Sequence, residues 1–160
     1  MRLLLATVGR LKDGAECELF DRYAERLDAA GRALALGPLH LIEVPESRAA
    51  TAELRKSDEA RRLLEAAERA DLRVALDAHG KAQSSEAFAK WISKKRDDGT
   101  KALAFLIGGP DGHGAAALEA ASLTLSLGPM TLPHGLARIM LAEQLYRAAT
   151  ILAGHPYHRG

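Results

Sequence analysis

Cysteine is almost absent. Cys17 is the single one among 160 residues, which excludes a disulfide framework and every multi-cysteine metal site. No basic residue or histidine flanks it, so it reads as a small half-buried side chain on a helix rather than a reactive thiol. Long apolar runs are missing as well. The longest, Ala102 to Ile107, has six residues, against the roughly 20 that span a bilayer. The opening Met1-Arg2-Leu3-Leu4-Leu5-Ala6 imitates the start of a signal peptide, but the stretch breaks at Gly9-Arg10 and Lys12-Asp13, too early for one. A buried first strand and a cytoplasmic protein are expected. An excess of one charge is missing too. With 22 basic and 21 acidic side chains the net charge is +1, which argues against gripping nucleic acid by bulk electrostatics. RNA stays open as a substrate, provided a local patch or a large structured partner supplies recognition. Finally, no G-x-G-x-x-G follows a strand and no G-x-x-x-x-G-K-[ST] occurs, so the standard phosphate loops are absent.

What remains is the composition of an ordinary globular chain, 48% hydrophobic and 27% charged, and one domain over residues 1–160 is expected. Short apolar runs alternate with helical patterns. Strands are read at Leu3 to Val8, Leu39 to Val44, Leu72 to Leu76, Ala102 to Ile107 and Leu123 to Leu127. Helices are read at Ala15 to Ala30, Thr51 to Ala70, from a Ser84 or Ser85 cap to Gly99, in a short Ala-rich stretch to about Ala121, and from Thr131 or Leu132 onward with Pro133 in the first turn. Such alternation predicts an α/β fold, a parallel sheet with helices on both faces. Mid-strand His40 is expected to be structural.

In such sheets ligands bind at the carboxyl ends of strands. Three loops are therefore singled out: Leu76 to Lys81, Ile107 to Gly112, and Ser126 to His134. Their glycines let a ligand touch the backbone, and Leu76, Met130 and Leu132 offer apolar surface for a flat base or a thioether. From Ala102 onward there are only three basic residues (Arg138, Arg147, Arg159) and three acidic ones (Asp111, Glu119, Glu143). That suits a ligand without phosphates. His79, His113 and His134 lie in or beside these loops.

At 100° per residue, Glu143, Arg147 and Thr150 share one narrow stripe of the last helix, and apolar residues fill most of the rest. One sheet covers one side of such a helix, so a second subunit is a natural cover for the other. Arg138, one turn from the third loop, either aims its charge into the site or pairs with an acid. The tail His155-Pro156-Tyr157-His158-Arg159-Gly160 carries a donor, a stacking face and a group that titrates near neutrality. No carboxylate or cysteine lies near His155 and His158 in sequence, and no metal is expected.

Five segments in order resemble the bacterial ribosomal RNA large subunit methyltransferase H family over the whole chain. They are Leu76-Asp77-x-x-Gly80-Lys81, Ile107-Gly108-Gly109-Pro110-x-Gly112, Met130-Thr131-x-Pro133-His134, Glu143-Gln144-x-Tyr146-Arg147-Ala148 and Pro156-Tyr157-His158-Arg159. The resemblance implies a SPOUT-class fold with a C-terminal deep trefoil knot and S-adenosylmethionine in the three loops. Leu76, Gly108, Gly128, Pro129, Met130, Thr131, Leu132 and Pro133 would contact that cofactor. It implies a homodimer acting on the ribosome, with N3 of a pseudouridine in 23S ribosomal RNA as the methyl acceptor. Tyr157, His158 and Arg159 would enter the partner subunit's site, with Tyr157 stacking or donating, His158 accepting the N3 proton and Arg159 positioning RNA. Arg138 would stabilise charge, and His134 is a candidate base or an orienting group. Many relatives carry Ser where this chain has Gly128, and a polar residue where it has Gly114, which weakens the cap of the short helix. The competing expectations are a SPOUT enzyme acting at another RNA position, a non-catalytic ribosome-binding factor, and a flavodoxin-like nucleotide-binding domain, which lacks its phosphate loop here.

Overall fold

The computed structural model describes residues 1–159. Five strands, β1 (Arg2–Val8), β2 (Leu39–Val44), β3 (Leu72–Ala82), β4 (Ala102–Ile107) and β5 (Leu123–Ser126), form one sheet in the order β2-β1-β4-β3-β5. Every pairing is parallel. The period of two decides which side each residue serves. Leu103, Phe105 and Ile107 of β4 join Leu3 and Leu5 of β1 in one core. Ala104 and Leu106 join Ala6 and Val8 in the other. All six residues of β4 are buried, as an inner parallel strand requires.

Helices α1 (Ala15–Gly31), α3 (Ser85–Asp97) and α5 (His134–Leu152) cover the first face through residues such as Phe20, Leu27, Phe88, Ile92 and Leu145. Helices α2 (Ala52–Ala66) and α4 (Ala115–Glu119) cover the second through Ala60, Leu63 and Ala117. Each fully buried Leu or Phe contributes about 1.5–3 kcal/mol. The expected α/β architecture is therefore present. Among the described residues no helix is long and apolar enough to cross a membrane.

Three boundaries and one burial differ from the sequence reading, each for a local reason. Strand β3 does not stop at Leu76. Val74 to Leu76 pair with Leu123 to Leu125, the chain arches out over Asp77 to Gly80, and Lys81 and Ala82 rejoin β5 beside Leu125 and Ser126. Gly80 permits this return, because a Cβ there would lie 2.7 Å from the Thr124 carbonyl. Helix α2 ends at Ala66 rather than Ala70, and Arg73 donates to the freed carbonyls of Ala67 (2.9 Å) and Glu68 (3.4 Å). Helix α5 begins at His134, since Pro133 is extended at ψ 146° and stands outside it as the N-cap. Strand β2 is an edge, so His40 is exposed; it is a surface residue, not the structural one expected.

Candidate functional site

The carboxyl ends of β3, β4 and β5 lie side by side, and their three loops converge on one crevice of about 600 Å³. Of the eight residues singled out for a cofactor, Leu76, Gly108, Gly128, Met130, Thr131, Leu132 and Pro133 line it. Pro129 does not line the wall. Met130, 80% exposed, stands at the mouth. Gly128 turns at φ +131°, a conformation a serine there would strain.

The loops are tied to one another by side chains that bond to backbone groups. His113 donates from Nε2 to the Leu76 carbonyl at 3.0 Å, joining the second loop to the first. Burial pushes the His113 imidazole below its ordinary value, against the opposing pull of Asp77. Ser126 Oγ lies 3.1 Å from the Ala78 carbonyl and accepts the Gly128 N–H at 3.1 Å, joining the third loop to the first. Helix α2 holds the second loop from behind. Arg55 grips Asp111 with two donors at 2.6 and 3.2 Å. The buried Glu59 accepts the Ser47 N–H at 2.9 Å, and its other oxygen lies 2.5 Å from where a Gly109 Cβ would stand. Gly114 has no capping side chain. A Cβ on it would meet the Lys56 carbonyl at 2.5 Å, so this glycine seats α4 against α2.

Among the described residues the crevice wall holds one carboxylate, three histidines and no Lys or Arg. The carboxylate is Asp77. Burial would raise it, but the backbone N–H and ring of His79 bond to it and hold it below its ordinary value. The wall thus offers main-chain groups, apolar surface and one negative charge. It does not form a phosphate cradle.

Arg138 does not face the crevice. It is fully buried, and its guanidinium donates to Glu43 (2.8 Å), Thr7 (3.3 Å), the Gly9 carbonyl (3.1 Å) and His134 Nδ1 (3.0 Å). Pairing, not projection into the site, is the role it takes. Burial alone would raise the Glu43 carboxyl, but the bonds from Arg138 and from the Leu11 N–H at 2.7 Å hold it low.

The tail is also held away from the crevice of its own chain. Glu143, roughly 13 Å further along α5 than His134, accepts the Tyr157 hydroxyl at 3.0 Å and pairs with Arg147. Arg147 lies 4.9 Å over the Tyr157 ring and donates to His158 Nδ1 at 3.3 Å. His158 Nε2 meets Glu86 at 2.7 Å. Burial, then the bond to Glu143, pushes the Tyr157 phenol up, so it stays protonated. The Glu86 carboxyl is held at about 2 by its own backbone N–H, by Ser84 and by His158. Arg159 is exposed, and Gly160 lies outside the described residues. Glu143 and Arg147 of the stripe are thus held by the tail, and Thr150, 2% exposed, turns its hydroxyl onto the Arg147 carbonyl. Cys17 is half-buried as expected, with burial and Asp21 pushing its thiol up. Among the described residues no group of His, Cys, Asp and Glu could hold a metal ion.

Sequence reasoning missed Glu43, Glu59 and Glu86 as partners. Each meets a group remote in the chain or a backbone atom, and nothing in its local pattern marks it.

The family described as "predicted SPOUT methyltransferase" matches residues 1–158. Proteins named ribosomal RNA large subunit methyltransferase H are 54% identical over 159 residues in Brucella anthropi and in Xanthobacter autotrophicus, covering 99% of this chain and 99% of theirs in both cases. A probable methylase family protein from Haemophilus influenzae shares the fold at 13% identity and a TM-score of 0.54, covering 99% of this chain and 70% of that one. A probable methyltransferase from Bordetella pertussis does so at 17% identity and 0.51, covering 92% and 95%. On the full-length match and the 54% identity, the chain belongs to the SPOUT methyltransferase family, in the branch of ribosomal RNA large subunit methyltransferase H.

Proposed function

We propose that the chain moves the methyl group of S-adenosylmethionine to N3 of a pseudouridine in large-subunit (23S) ribosomal RNA. It does so as a cytoplasmic homodimer of one-domain subunits acting on the assembled ribosome. The observation that carries the reading is the single crevice walled by all three glycine loops. Its residues fit that cofactor. A Cβ on Gly108 would stand 3.0–3.2 Å from the backbone of Gly112 and His113, so the loop presents N–H and C=O groups, suited to an adenine edge or a ribose. The single carboxylate and the lack of Lys and Arg on the wall suit a cationic ligand without phosphates. Leu76, Gly108, Gly128, Met130, Thr131, Leu132 and Pro133 would hold it, with Pro129 shaping the loop from behind. When bound, it supplies an electrophilic methyl group.

The remaining chemistry falls to this chain. The N3–H of a pseudouridine is a weak imide acid, so its proton has to leave before or during attack. Tyr157, His158 and Arg159 would serve the partner's crevice, because they lie remote from their own. Leu136 and Met140 on α5, 43% and 42% exposed, and Met130 and Leu132 at the mouth are exposed apolar side chains that a second subunit would cover. In that arrangement Tyr157 donates or stacks, His158 takes the N3 proton on the Nδ1 lone pair that Arg147 occupies within its own chain, and Arg159 positions the RNA. Closing the crevice against water keeps the methyl group for the base. A net charge of +1 favours a large rigid partner over free RNA. The trefoil knot belongs to the same reading, supported by the ties at Leu76 and Ala78 between loops distant in sequence.

Titration calorimetry with S-adenosylmethionine, then methyl incorporation into ribosomes against free ribosomal RNA with mass spectrometry of the product nucleoside, tests this. Binding followed by N3-methylpseudouridine in ribosomes is expected. A dimer that binds no cofactor would favour a ribosome-binding factor, and a methylated ribose would favour another RNA position.

A further inference from the structure

Arg138 does not line the crevice but bonds to one residue that does, His134. Its guanidinium donates hydrogen bonds and cannot accept them. The 3.0 Å contact with His134 Nδ1 therefore requires a lone pair on that nitrogen. A neutral imidazole with a lone pair on Nδ1 carries its proton on Nε2. Adding a proton to Nδ1 would delete the bond and set two cations 3.0 Å apart, beside an arginine with no exposure to water. Glu43 does not relieve this, since its Oε2 already accepts from both Arg138 and the Leu11 N–H.

The other neighbours of the ring are known. Gly9 lies against its far edge, where a Cβ would stand 3.2 Å from Cε1 and 3.3 Å from Nε2. Glu46 flanks Gly9, and Glu16 flanks Gly135 on the next residue of α5. Asp77, His79 and His113 share the crevice wall. Among the described residues, His79 and His158 are the histidines that meet a carboxylate, and His134 meets none.

We propose that Arg138, anchored by Glu43, is a positioning residue that holds His134 as the Nε2–H tautomer. His134 then serves the crevice as a hydrogen-bond donor to an acceptor oxygen of the bound ligand, and not as the general base. The tautomer stands on the contacts alone. The identity of the acceptor, a carbonyl of the target base or an oxygen of the cofactor, rests on the methyl-transfer reading above.

Nitrogen-15 NMR of the full-length protein with labelled histidine reads the tautomer directly. In the neutral ring a protonated Nε2 and an unprotonated Nδ1 are expected at His134. A neutral ring with its proton on Nδ1 overturns the proposal. The second measurement is methyl transfer to ribosomes by His134→Gln and His134→Asn. The Gln amide places an N–H near the Nε2 position and should restore most of the rate, whereas Asn mimics Nδ1 and should lose about tenfold, the size of one hydrogen bond. If the loss in Asn is in cofactor affinity by calorimetry, the acceptor is on the cofactor. If it is in kcat at unchanged affinity, the acceptor is on the RNA. Equal inactivity of both variants, with an acidic limb of the wild-type rate profile that they lack, would make His134 the base. A wild-type protein that methylates no RNA would defeat the methyl-transfer reading and leave the NMR result to decide the tautomer.

Discussion

At the crevice, the ties between loops end on backbone carbonyls: His113 on Leu76 and Ser126 on Ala78, with Gly112 N–H on Gly109 inside the second loop. At the tail, Tyr157 and His158 are joined to Glu143, Arg147 and Glu86 through side chains. The difference separates two kinds of precision. A tie that ends on a carbonyl has its acceptor fixed by strand register, which changes only if the sheet changes. Side-chain ties between a phenol, an imidazole, a guanidinium and carboxylates can be exchanged for other partners at little cost, and they respond to pH and salt. A surface that must receive one ligand repeatedly is served by the first kind. A segment that must let go of its own chain to reach another is served by the second.

The comparison is tested most severely at the interior support of the crevice. Arg138→Met strips the buried partner from Glu43, and about 3 kcal/mol of stability should disappear, the low end for a buried pair because Glu43 is 25% exposed. Urea unfolding measures this. A loss no larger than that of a surface pair would mean the crevice does not depend on its buried frame. Next in size is Gly80→Ala, which drives a methyl into the β5 backbone. It should cost about 1–3 kcal/mol and weaken cofactor heats in calorimetry, since the arch carries Asp77. If stability falls and the heats stay, the arch is not part of the binding wall.

Smaller effects belong to the tail. Tyr157→Phe removes the hydroxyl that Glu143 accepts and should cost about 1 kcal/mol in thermal unfolding, with cofactor heats unaltered. A matching loss of cofactor heat would erase the distinction between the two regions. The smallest is a pH effect at Glu86. Its folded carboxyl sits at about 2 against an ordinary 4.5. A group lowered in this way stabilises the fold above its unfolded value, and the contribution fades as pH falls through about 2. Acid titration followed by tyrosine fluorescence should show this change in the wild type and not in Glu86→Gln.

Much of the frame was legible in the chain. The bounds of β4 coincide with its apolar run because an inner parallel strand is apolar on both faces, and the Ser84 cap of α3 was visible as a serine before a helical pattern, with its Oγ accepting the Ala87 N–H. The convergence of the three loops followed from placing them at strand ends. Other features had no local signature. Asp77 to Gly80 has turn composition, so the resumption of β3 beyond it was hidden in a close approach that only the folded β5 creates. His40 looked internal because strand order decides which strand is the edge. Arg138 and Glu43 are 95 residues apart, and no periodicity connects them. The polar stripe of α5 was read correctly as a stripe, yet Glu143 and Arg147 in it are held by the chain's own tail, a contact that helical spacing does not contain.

Helix α5 starts at the wall of the crevice and, a few turns on, carries Glu143 and Arg147, which hold the tail. A continuous α-helix behaves as a stiff lever over such a length. One element therefore sets both the wall of the crevice and the anchor of the tail, and the spacing between them is fixed by the helical rise from His134 to Glu143.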